Sequence, residues 1–408
     1  MTSPPQILIL GAGAAGTAAA RVLAPRDDVR VTLLGPTGET PYSRMLIKGI
    51  AFGPASPEAI KLPLPDVPIS SDSVVAVATT AREVELASGT RLSYDALVVA
   101  TGSRARALPV DVVGGLTAAT AGRVSALHTL DDARRIRELL TGQGRRARVA
   151  IYGGGIIAAE AASILRDEGH SVVLISRSAI PGIGAFGVHV AERMAAEHSS
   201  RGTIHVGRTV QRVDVTDAGV VTTLDTASQV VADLLLVALG TTPAAPAPWI
   251  DGLDVDDRLR ADAPDVYAAG GVATHHDALG TWRIDHWQDA SAQGAHAAEV
   301  ALHDLGLGGD PGPYRPRSPF MAMVYGRTIA GVGLTGDGGR LVAGDEFVVH
   351  HERQGTVVGV TGIDAVGTVY RWGQRLHTVE DATDEITRLV HRHESATTQE
   401  ASCPVSPH

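Results

Sequence analysis

Three glycines near the start of the chain have the spacing of a turn that binds a dinucleotide. Gly11 follows the apolar run Gln6–Leu10, and Gly13 and Gly16 complete the pattern GxGxxG at the opening of an alanine-rich segment. Such glycines permit a tight turn, close approach of a pyrophosphate and close helix–strand packing, while the helix N-terminus favours the anion. The alternative is a glycine-rich turn in an alanine-rich protein. The predicted cofactor-binding residues here are Gly11, Gly13, Ala14, Ala15 and Gly16.

The acid that usually binds the ribose is missing from this first unit. It should close the second strand, about 20 residues downstream of the glycines. The strand VTLL ends instead in Gly35 and Pro36. Glu39 is the nearest carboxylate, and it reaches the site only if its loop folds back. Ribose binding is therefore weaker here, or another group provides it.

A second glycine turn follows the apolar strand Arg148–Tyr152. Its third glycine is replaced by Ala158, which is a known variant of the same turn. The next strand ends in Ser176–Arg177, where an acid would bind the ribose 2′-hydroxyl of NADH and an arginine accommodates the 2′-phosphate of NADPH. This favours NADPH, the alternative being a surface arginine. The predicted cofactor-binding residues are Gly153, Gly155, Ile156, Ile157, Ser176 and Arg177.

Charge and composition exclude several classes of protein. The net charge is −10 without a long basic patch, so nucleic acid is not an expected partner. We interpret the arginines in the run 145–148 as solvent-exposed residues at the start of a strand. The single cysteine, Cys403, permits no intrachain disulfide, dithiol relay or cysteine-held metal cluster. We expect a cytoplasmic protein without a membrane span, because no signal-peptide pattern or apolar run of about 18 residues is found.

The order of elements predicts an α/β fold. Both glycine turns lie in strand–helix–strand units, which indicates two three-layer Rossmann-like dinucleotide-binding domains. After a segment rich in glycine and proline, alternation of apolar residues in 320–374 predicts an antiparallel sheet, and hence a C-terminal α+β sheet domain. Further expected elements are hairpin strands in Val74–Leu86, buried strands at Tyr94–Ala100, Leu234–Leu239 and Val266–Ala269, and helices at Ile284–His303 and Asp381–Arg392.

Six segments resemble the FAD-dependent pyridine nucleotide oxidoreductases, most closely the ferredoxin reductase-like branch that serves oxygenases. They occur in the order of that family and cover nearly the whole chain. The last segment and the lack of a redox cysteine pair separate the chain from thioredoxin and glutathione reductases. The segments are GAGAAG (11–16), PYSR (41–44), YDALVVATGSRARALP (94–109), GGGIIAAEAA (153–162), VYAAGGVA (266–273) and RIDHWQDASAQGAHAA (283–298).

The resemblance implies FAD together with NADP or NAD as cofactors, and a division of the chain into domains. Residues 1–115 and 241–308 would form the FAD-binding domain, and residues 116–240 the NAD(P)-binding domain. Residues 309–395 would form the C-terminal α+β domain, and we expect 396–408 to be a disordered tail.

The resemblance also implies roles for individual residues. Arg44 and Lys48 would lie near the flavin, and Lys48 would pair with Glu160. Trp287 would lie at the isoalloxazine edge and exclude water, with core packing as the alternative. His286 would transfer protons or be a helix-surface histidine. The implied catalytic residues are Lys48, Glu160, His286 and Trp287, and the further cofactor-binding residues are Arg44, Thr101, Gly102, Arg106, Gly240, Gly270, Gly271 and Trp287.

One position departs from the family pattern in a way that bears on flavin binding. The family has Asp in the segment AAGDVA, where the carboxylate hydrogen-bonds the ribityl chain of FAD, and this chain has Gly271. With no acid at Gly35 or Pro36, two anchoring carboxylates are absent. Each such hydrogen bond contributes about 1 kcal/mol net, so binding through backbone N–H groups can survive their loss. Weak, altered or absent flavin binding stays an open alternative.

Three functions are compatible with these observations. The leading hypothesis is hydride transfer from NAD(P)H to flavin and onward transfer to an electron-transfer protein or a small-molecule acceptor. The second is a specialised biosynthetic enzyme that uses the same flavin and dinucleotide site on an organic substrate, with or without net redox turnover. The third is a non-catalytic nucleotide-binding relic.

Partners are only partly indicated. A strongly acidic ferredoxin usually needs a basic docking patch, and the chain is acidic. Met321 replaces the aromatic residue that the family has after Phe320. We therefore expect a small-molecule substrate or a small redox protein as partner, and a homodimer is plausible. His275, His276 and Asp277 lack a helix-spaced ligand signature, so we predict no metal.

Overall fold

The structure is a computed structural model that describes residues 3–35, 40–63, 66–142, 144–336 and 338–376. Pro36, Glu39, the helix expected at Asp381–Arg392 and the tail 396–408 lie outside the described residues. The predicted mixed α/β architecture with parallel sheets is confirmed.

The first glycine turn follows the central strand of a five-stranded parallel sheet. All four residues of the strand Ala96–Val99 are buried, as expected for a parallel sheet covered on both faces. The helix Ala14–Leu23, here called the first glycine helix, connects the central strand to its neighbour. In spatial order the strands are Val266–Ala268, Ala96–Val99, Gln6–Leu10, Arg30–Leu34 and Ile69–Ser70.

The second glycine turn follows the central strand of another five-stranded parallel sheet. The helix Ile156–Asp167, the second glycine helix, connects this strand to the next. The helix Leu130–Thr141 begins with a capping box, because Thr129 accepts from the Asp132 N–H and Asp132 accepts from the Thr129 N–H. In spatial order the strands are Thr203–Val206, Ser171–Ser176, Arg148–Tyr152, Leu234–Val237 and Val124–Ser125.

Each parallel sheet is accompanied by a three-stranded antiparallel sheet, which the chain forms between two consecutive strands of the parallel sheet. A two-stranded antiparallel ribbon, Ser103–Ala105 with Thr241–Pro243, lies where the chain passes between the two units. The antiparallel sheets are Val74–Ala78, Glu83–Leu86 and Arg91–Ser93 in the first unit, and Val210–Thr216, Gly219–Leu224 and Gln229–Ala232 in the second.

The long helix Trp287–Asp304 packs across the first glycine helix. The contact is close, since a Cβ on Gly294 would lie 2.6 Å from the Ala15 carbonyl carbon. The helix begins at Trp287 and not at the expected Ile284, because His286 has an extended backbone. Residues 283–286 are therefore available to contact the ribbon.

The C-terminal sheet contains five antiparallel strands and is covered by a helix. The expectation that all of 320–374 is sheet was wrong for Val366–Gly373. This segment is helical, with Val369 fully buried against the sheet. Its two glycines and short length hide the helical period. The strands, in spatial order, are Phe320–Val324, Arg327–Gly333, Thr356–Ile363, Phe347–Arg353 and Arg340–Leu341.

The remaining elements are short or lie at the edges of these units. In the described part of the chain, no helix is both long and apolar enough to span a membrane. The other helices are Ile47–Ala51, Gly115–Thr120, Ile183–Phe186 and Val188–Arg201, with 3-10 turns at Arg44–Leu46 and Glu58–Ile60; the other strands are Leu253–Val255, Ala273–Asp277 and Gly280–Trp282.

Candidate active site

The first glycine turn is closed towards the protein and open on its other side. Gly11 has φ +102°, and a Cβ there would lie 2.8 Å from the Ala100 carbonyl carbon. A Cβ on Gly16 would lie 2.9 Å from the Gly11 carbonyl carbon, so helix and strand pack in direct contact. At Gly13, by contrast, no described atom comes within 4 Å of a built Cβ. The turn therefore fits a pyrophosphate at Gly13.

The two alanines of this turn have different surroundings. Ala14 is half-buried at the first position of the first glycine helix, next to the open side. Ala15 is buried beneath the long helix, and a Cβ on Gly270 would lie 3.4 Å from the Ala15 side chain. Ala15 therefore packs the turn against Gly270, and Ala14 is the alanine that lies closer to the open side.

The second glycine turn repeats this arrangement. Gly153 has φ +147°, and a Cβ there would lie 2.7 Å from the Ala238 carbonyl carbon. Gly155 is the N-cap of the second glycine helix, and no described atom comes within 4 Å of a built Cβ there. Ile156 is partly buried, whereas Ile157 is exposed in the first helical turn. This turn also fits a pyrophosphate.

The end of the strand after the second glycine helix presents two arginines. Ser176 is buried and donates from Oγ to the Ser178 carbonyl at 3.1 Å, while Arg177 is exposed. Arg208, at the end of the neighbouring strand, donates its backbone N–H to the Ser176 carbonyl at 3.0 Å and is also exposed. Arg208 was not among the residues predicted from the sequence. The rule that adjacent parallel strands end at the same sheet edge could have indicated it.

A buried polar group and an arginine lie together just after the strand Ala96–Val99. The Thr101 hydroxyl is buried and has no hydrogen-bond partner among the described residues. Arg44 lies beside this segment, with Nη1 3.4 Å from the Ser103 carbonyl oxygen and 2.9 Å from His128 Nε2. Burial lowers the pKa of His128, and the Arg44 charge lowers it further. An unsatisfied buried hydroxyl indicates a binding surface, because such groups normally find a partner.

The structure brings Lys48 and Glu160 together from distant parts of the sequence. Lys48 Nζ lies 2.6 Å from Glu160 Oε1, and the Glu160 side chain is only 6% exposed. The backbone N–H of Met323 donates to the same oxygen at 3.3 Å. The pair therefore connects the helix Ile47–Ala51, the second glycine helix and the edge strand of the C-terminal sheet. A carboxylate this buried needs the cation to compensate its lost hydration.

His286 and Trp287 lie at the start of the long helix. The ring of His286 is 6.3 Å from that of Phe320, and its Nδ1 is buried without a partner in the described ranges. Burial lowers the pKa of His286, Lys48 acts in the same direction, and Asp285 opposes them. Trp287 is half-buried, and none of the hydrophobic clusters formed by described residues includes it. The placement of Trp287 thus differs from plain core packing.

The remaining glycines of the prediction lie around the ribbon. The Arg106 backbone N–H donates to the Gly240 carbonyl at 2.9 Å, and its Nε donates to the Thr241 carbonyl at 3.1 Å. Gly102 and Gly240 both have space around them, with no described atom within 4 Å of a built Cβ. Gly270 donates its N–H to the buried Gln293 at 2.7 Å, which fixes the turn to the long helix.

The histidines that were considered as metal ligands point to different surroundings. His275 is buried and stacks on Trp282 with ring centroids 3.6 Å apart, and burial lowers its pKa to about 4. His276 lies on the strand beside it, with Nε2 3.0 Å from Asp254 Oδ1. Within the residues that the structure describes, no group of three or more metal-ligating side chains is found.

Comparison with known proteins identifies relatives across most of the chain. A family model described as pyridine nucleotide-disulphide oxidoreductase matches residues 5–294. The ferredoxin–NAD(+) reductase component of the anthranilate 1,2-dioxygenase system of Burkholderia cepacia is 31% identical over 328 residues, 72% of this chain and 75% of the relative. "Probable ferredoxin reductase CtmF" of Castellaniella defragrans is 29% identical over 90% of this chain and 92% of its own.

A solved structure has the same fold. The covalent putidaredoxin reductase–putidaredoxin complex superposes with a TM-score of 0.79 at 23% identity, covering 91% of this chain and 93% of the matched chain. At this identity the likeness supports the arrangement of strands and helices described above.

Proposed function

Because this chain belongs to the pyridine nucleotide-disulphide oxidoreductase family, as its motifs predicted, we propose that it is an FAD-dependent reductase that uses NADPH to reduce a small redox protein. The chain is an oxidoreductase of the class that uses FAD and NAD(P)H. The choice of NADPH, the acceptor and the residue roles below are part of the proposal. The observation that carries it is the pair of glycine turns, each open at the glycine that would meet a pyrophosphate, at Gly13 and Gly155.

The first unit would hold FAD. The turn from Gly11 to Gly16 would bind the pyrophosphate through backbone N–H groups, and the unsatisfied Thr101 hydroxyl would hydrogen-bond the cofactor. Arg44 would contact it from the opposite segment. When bound, the flavin would supply hydride acceptance from the nicotinamide and onward release of electrons.

The second unit would hold NADPH. Gly155 and the start of the second glycine helix would bind its pyrophosphate, and Ile157 would provide apolar contact. Arg177 would bind the 2′-phosphate, and Arg208 lies at the same strand end. Two exposed arginines without an acid on that strand end favour a phosphate over a hydroxyl.

Lys48, Glu160, His286 and Trp287 would form the wall between the two cofactors. Glu160 fixes the Lys48 ammonium, which would keep a positive charge beside the reacting rings. Burial lowers the pKa of His286 and so favours its neutral form, in which one ring nitrogen carries a proton and the other can accept one. Trp287 would exclude water with its rigid ring.

A small redox protein is the acceptor that we favour. Of the relatives named above, one is the ferredoxin–NAD(+) reductase component of a dioxygenase system and the other is a probable ferredoxin reductase. The edge strand Phe320–Val324 presents Met321 and Met323, which are 54% and 49% exposed and are adaptable apolar contacts. The proposal includes a cytoplasmic location, and assembly as a homodimer stays a prediction.

An absorbance spectrum of the isolated protein, followed by anaerobic titration with NADPH and NADH, tests the proposal. We expect flavin absorbance that NADPH bleaches, with a steeper response to NADPH than to NADH. A colourless protein that gains no flavin on addition of FAD would overturn the proposal. Retained flavin that neither nicotinamide reduces would favour the biosynthetic alternative.

A further inference from the structure

Gly271, which stands where the family has an acid, lies directly against another carboxylate. A Cβ on Gly271 would lie 2.9 Å from Asp285 Cγ and would overlap Asp285 Oδ1. Gly271 is not among the glycines with positive φ, so its backbone conformation does not require glycine. The lack of a side chain at this position is explained by the Asp285 carboxylate, which fills the space.

The Asp285 carboxylate is held through one of its two oxygens. Ser103 Oγ donates to Oδ2 at 2.6 Å, and the Thr241 hydroxyl donates to the same oxygen. Arg283 Nη1 lies 3.8 Å from it. No hydrogen bond within the described ranges reaches Oδ1, and the side chain is 30% exposed. The carboxylate is thus fixed in direction and retains one oxygen for a further donor.

Arg283 connects the Gly271 turn to the ribbon strand that contains Thr241. Its Nη1 donates to the Gly271 carbonyl at 2.8 Å, and its Nη2 donates to the Thr241 carbonyl at 2.9 Å. Gly271, Asp285 and the ribbon strands therefore form one rigid group at the start of the long helix, two residues before Trp287. The free oxygen lies within the space that a side chain at position 271 would occupy.

We propose that Asp285 supplies the carboxylate that hydrogen-bonds the ribityl chain of FAD, in place of the acid missing at Gly271. This inference rests on the proposed function, since it presumes that FAD occupies the first unit. A ribityl hydroxyl is a donor, and a carboxylate oxygen is the acceptor that binds it most strongly. An acid at both positions is unfavourable, because a Cβ at 271 overlaps the Asp285 side chain and two ionised carboxylates in this space would repel each other.

The first experiment measures how well the holoenzyme retains FAD. Release of FAD on dilution is followed by the rise in flavin fluorescence, and the flavin-to-protein ratio of the isolated protein is read from its absorbance. We expect Asp285→Ala to weaken FAD binding by about 10- to 100-fold, the range for a hydrogen bond to a charged group. Glu299→Ala, which removes an exposed acid from the long helix that follows Asp285, should leave retention unchanged.

The second experiment moves the carboxylate to the family position. Gly271→Asp alone should expel FAD, because the new Cβ overlaps the Asp285 carboxylate and displaces it. The double variant Gly271→Asp with Asp285→Gly should regain FAD. A Cβ at 271 would lie 3.2 Å from the Ser103 Cβ, so the moved carboxylate can reach the same hydroxyl donor. Circular dichroism and thermal unfolding verify that each variant is folded.

The outcomes separate this inference from the proposed function. A wild-type protein that takes up no FAD overturns both. A wild-type flavoprotein whose folded Asp285→Ala variant retains FAD equally well overturns this inference alone. It is also overturned if Asp285→Ala loses FAD and the double variant fails to regain it, since Asp285 would then act only by holding the ribbon.

Discussion

Asp289 lies in the first turn of the long helix and is 1% exposed, and the residues that the structure describes form no salt bridge with it. The Tyr314 hydroxyl donates to one of its oxygens at 2.8 Å, and Gln293 Nε2 donates to the other at 2.6 Å. These bonds favour the ionised form, but burial outweighs them and raises the pKa of Asp289 to about 6. Replacing Asp289 with asparagine removes the titration and leaves the size of the side chain almost unchanged.

Proton linkage determines whether stability rises or falls with pH. The folded protein binds the Asp289 proton more tightly than the unfolded chain, in which the carboxyl has its ordinary pKa of 3.8. Stability is therefore highest when the group is protonated in both states and falls as the pH rises from about 4 to about 6. A shift from 3.8 to about 6 costs about 3 kcal/mol above pH 6, of which about 2 kcal/mol develops between pH 4.5 and 7.5.

The assay is urea unfolding at several pH values between 4.5 and 7.5, with equal saturating FAD for wild type and Asp289→Asn. Buried His198, His275 and His351 oppose the trend, because burial lowers the pKa of each to about 4, but they are common to both proteins. The difference in unfolding free energy should therefore change by about 2 kcal/mol across this range. Glu299→Gln on the exposed face of the same helix is the control. A difference that is constant with pH would refute the reasoning.

Three further predictions concern the two cofactor units. Gly13→Val should abolish FAD retention, and Gly155→Val should retain FAD but abolish its reduction by NADPH. In each variant the valine side chain would fill the open space that the pyrophosphate of that cofactor would occupy. Absorbance spectra that show loss of flavin in both variants would contradict this prediction. Arg177→Glu should lower the NADPH-to-NADH ratio of kcat/KM at least about tenfold, and an unchanged ratio would remove Arg177 from the site. Lys48→Met should lower the free energy of unfolding in urea by about 2–3 kcal/mol, because it leaves the buried Glu160 carboxylate unpaired. The double variant Lys48→Met with Glu160→Gln should lose less. Equal losses of unfolding free energy in the two variants would argue against a buried ion pair.

The features that the sequence predicted are those whose cause is local. Gly11 and Gly153 indicate tight turns, because each has a positive φ and lies against a backbone carbonyl group. The apolar runs that precede them form buried strands. Membership of the family followed from the order of such segments. The pairing of Lys48 with Glu160 was anticipated only through the resemblance, since no local pattern connects the two residues.

The features that the sequence did not reveal depend on packing between distant segments. Asp285 explains Gly271 only when the start of the long helix is placed over the turn. Arg208 is brought beside Arg177 by a backbone hydrogen bond to Ser176 on the neighbouring strand. Arg145 and Arg148 keep side chains that are 49% and 37% exposed, in line with the solvated run that was predicted. Both also form salt bridges with the buried Asp233, a contact that the sequence did not reveal.

The ribbon between the two units places the start and the end of an excursion of the chain side by side. Ala105 and Thr241 are directly paired across it, and antiparallel partners have Cα atoms about 5 Å apart. A linker of two or three residues would therefore bridge the gap left by deleting everything between them. The part of the chain that contains the second parallel sheet is thus an inserted segment with adjoining ends. Such a segment could be replaced through two junctions that lie side by side in the ribbon, without a change in the order of strands in the first parallel sheet.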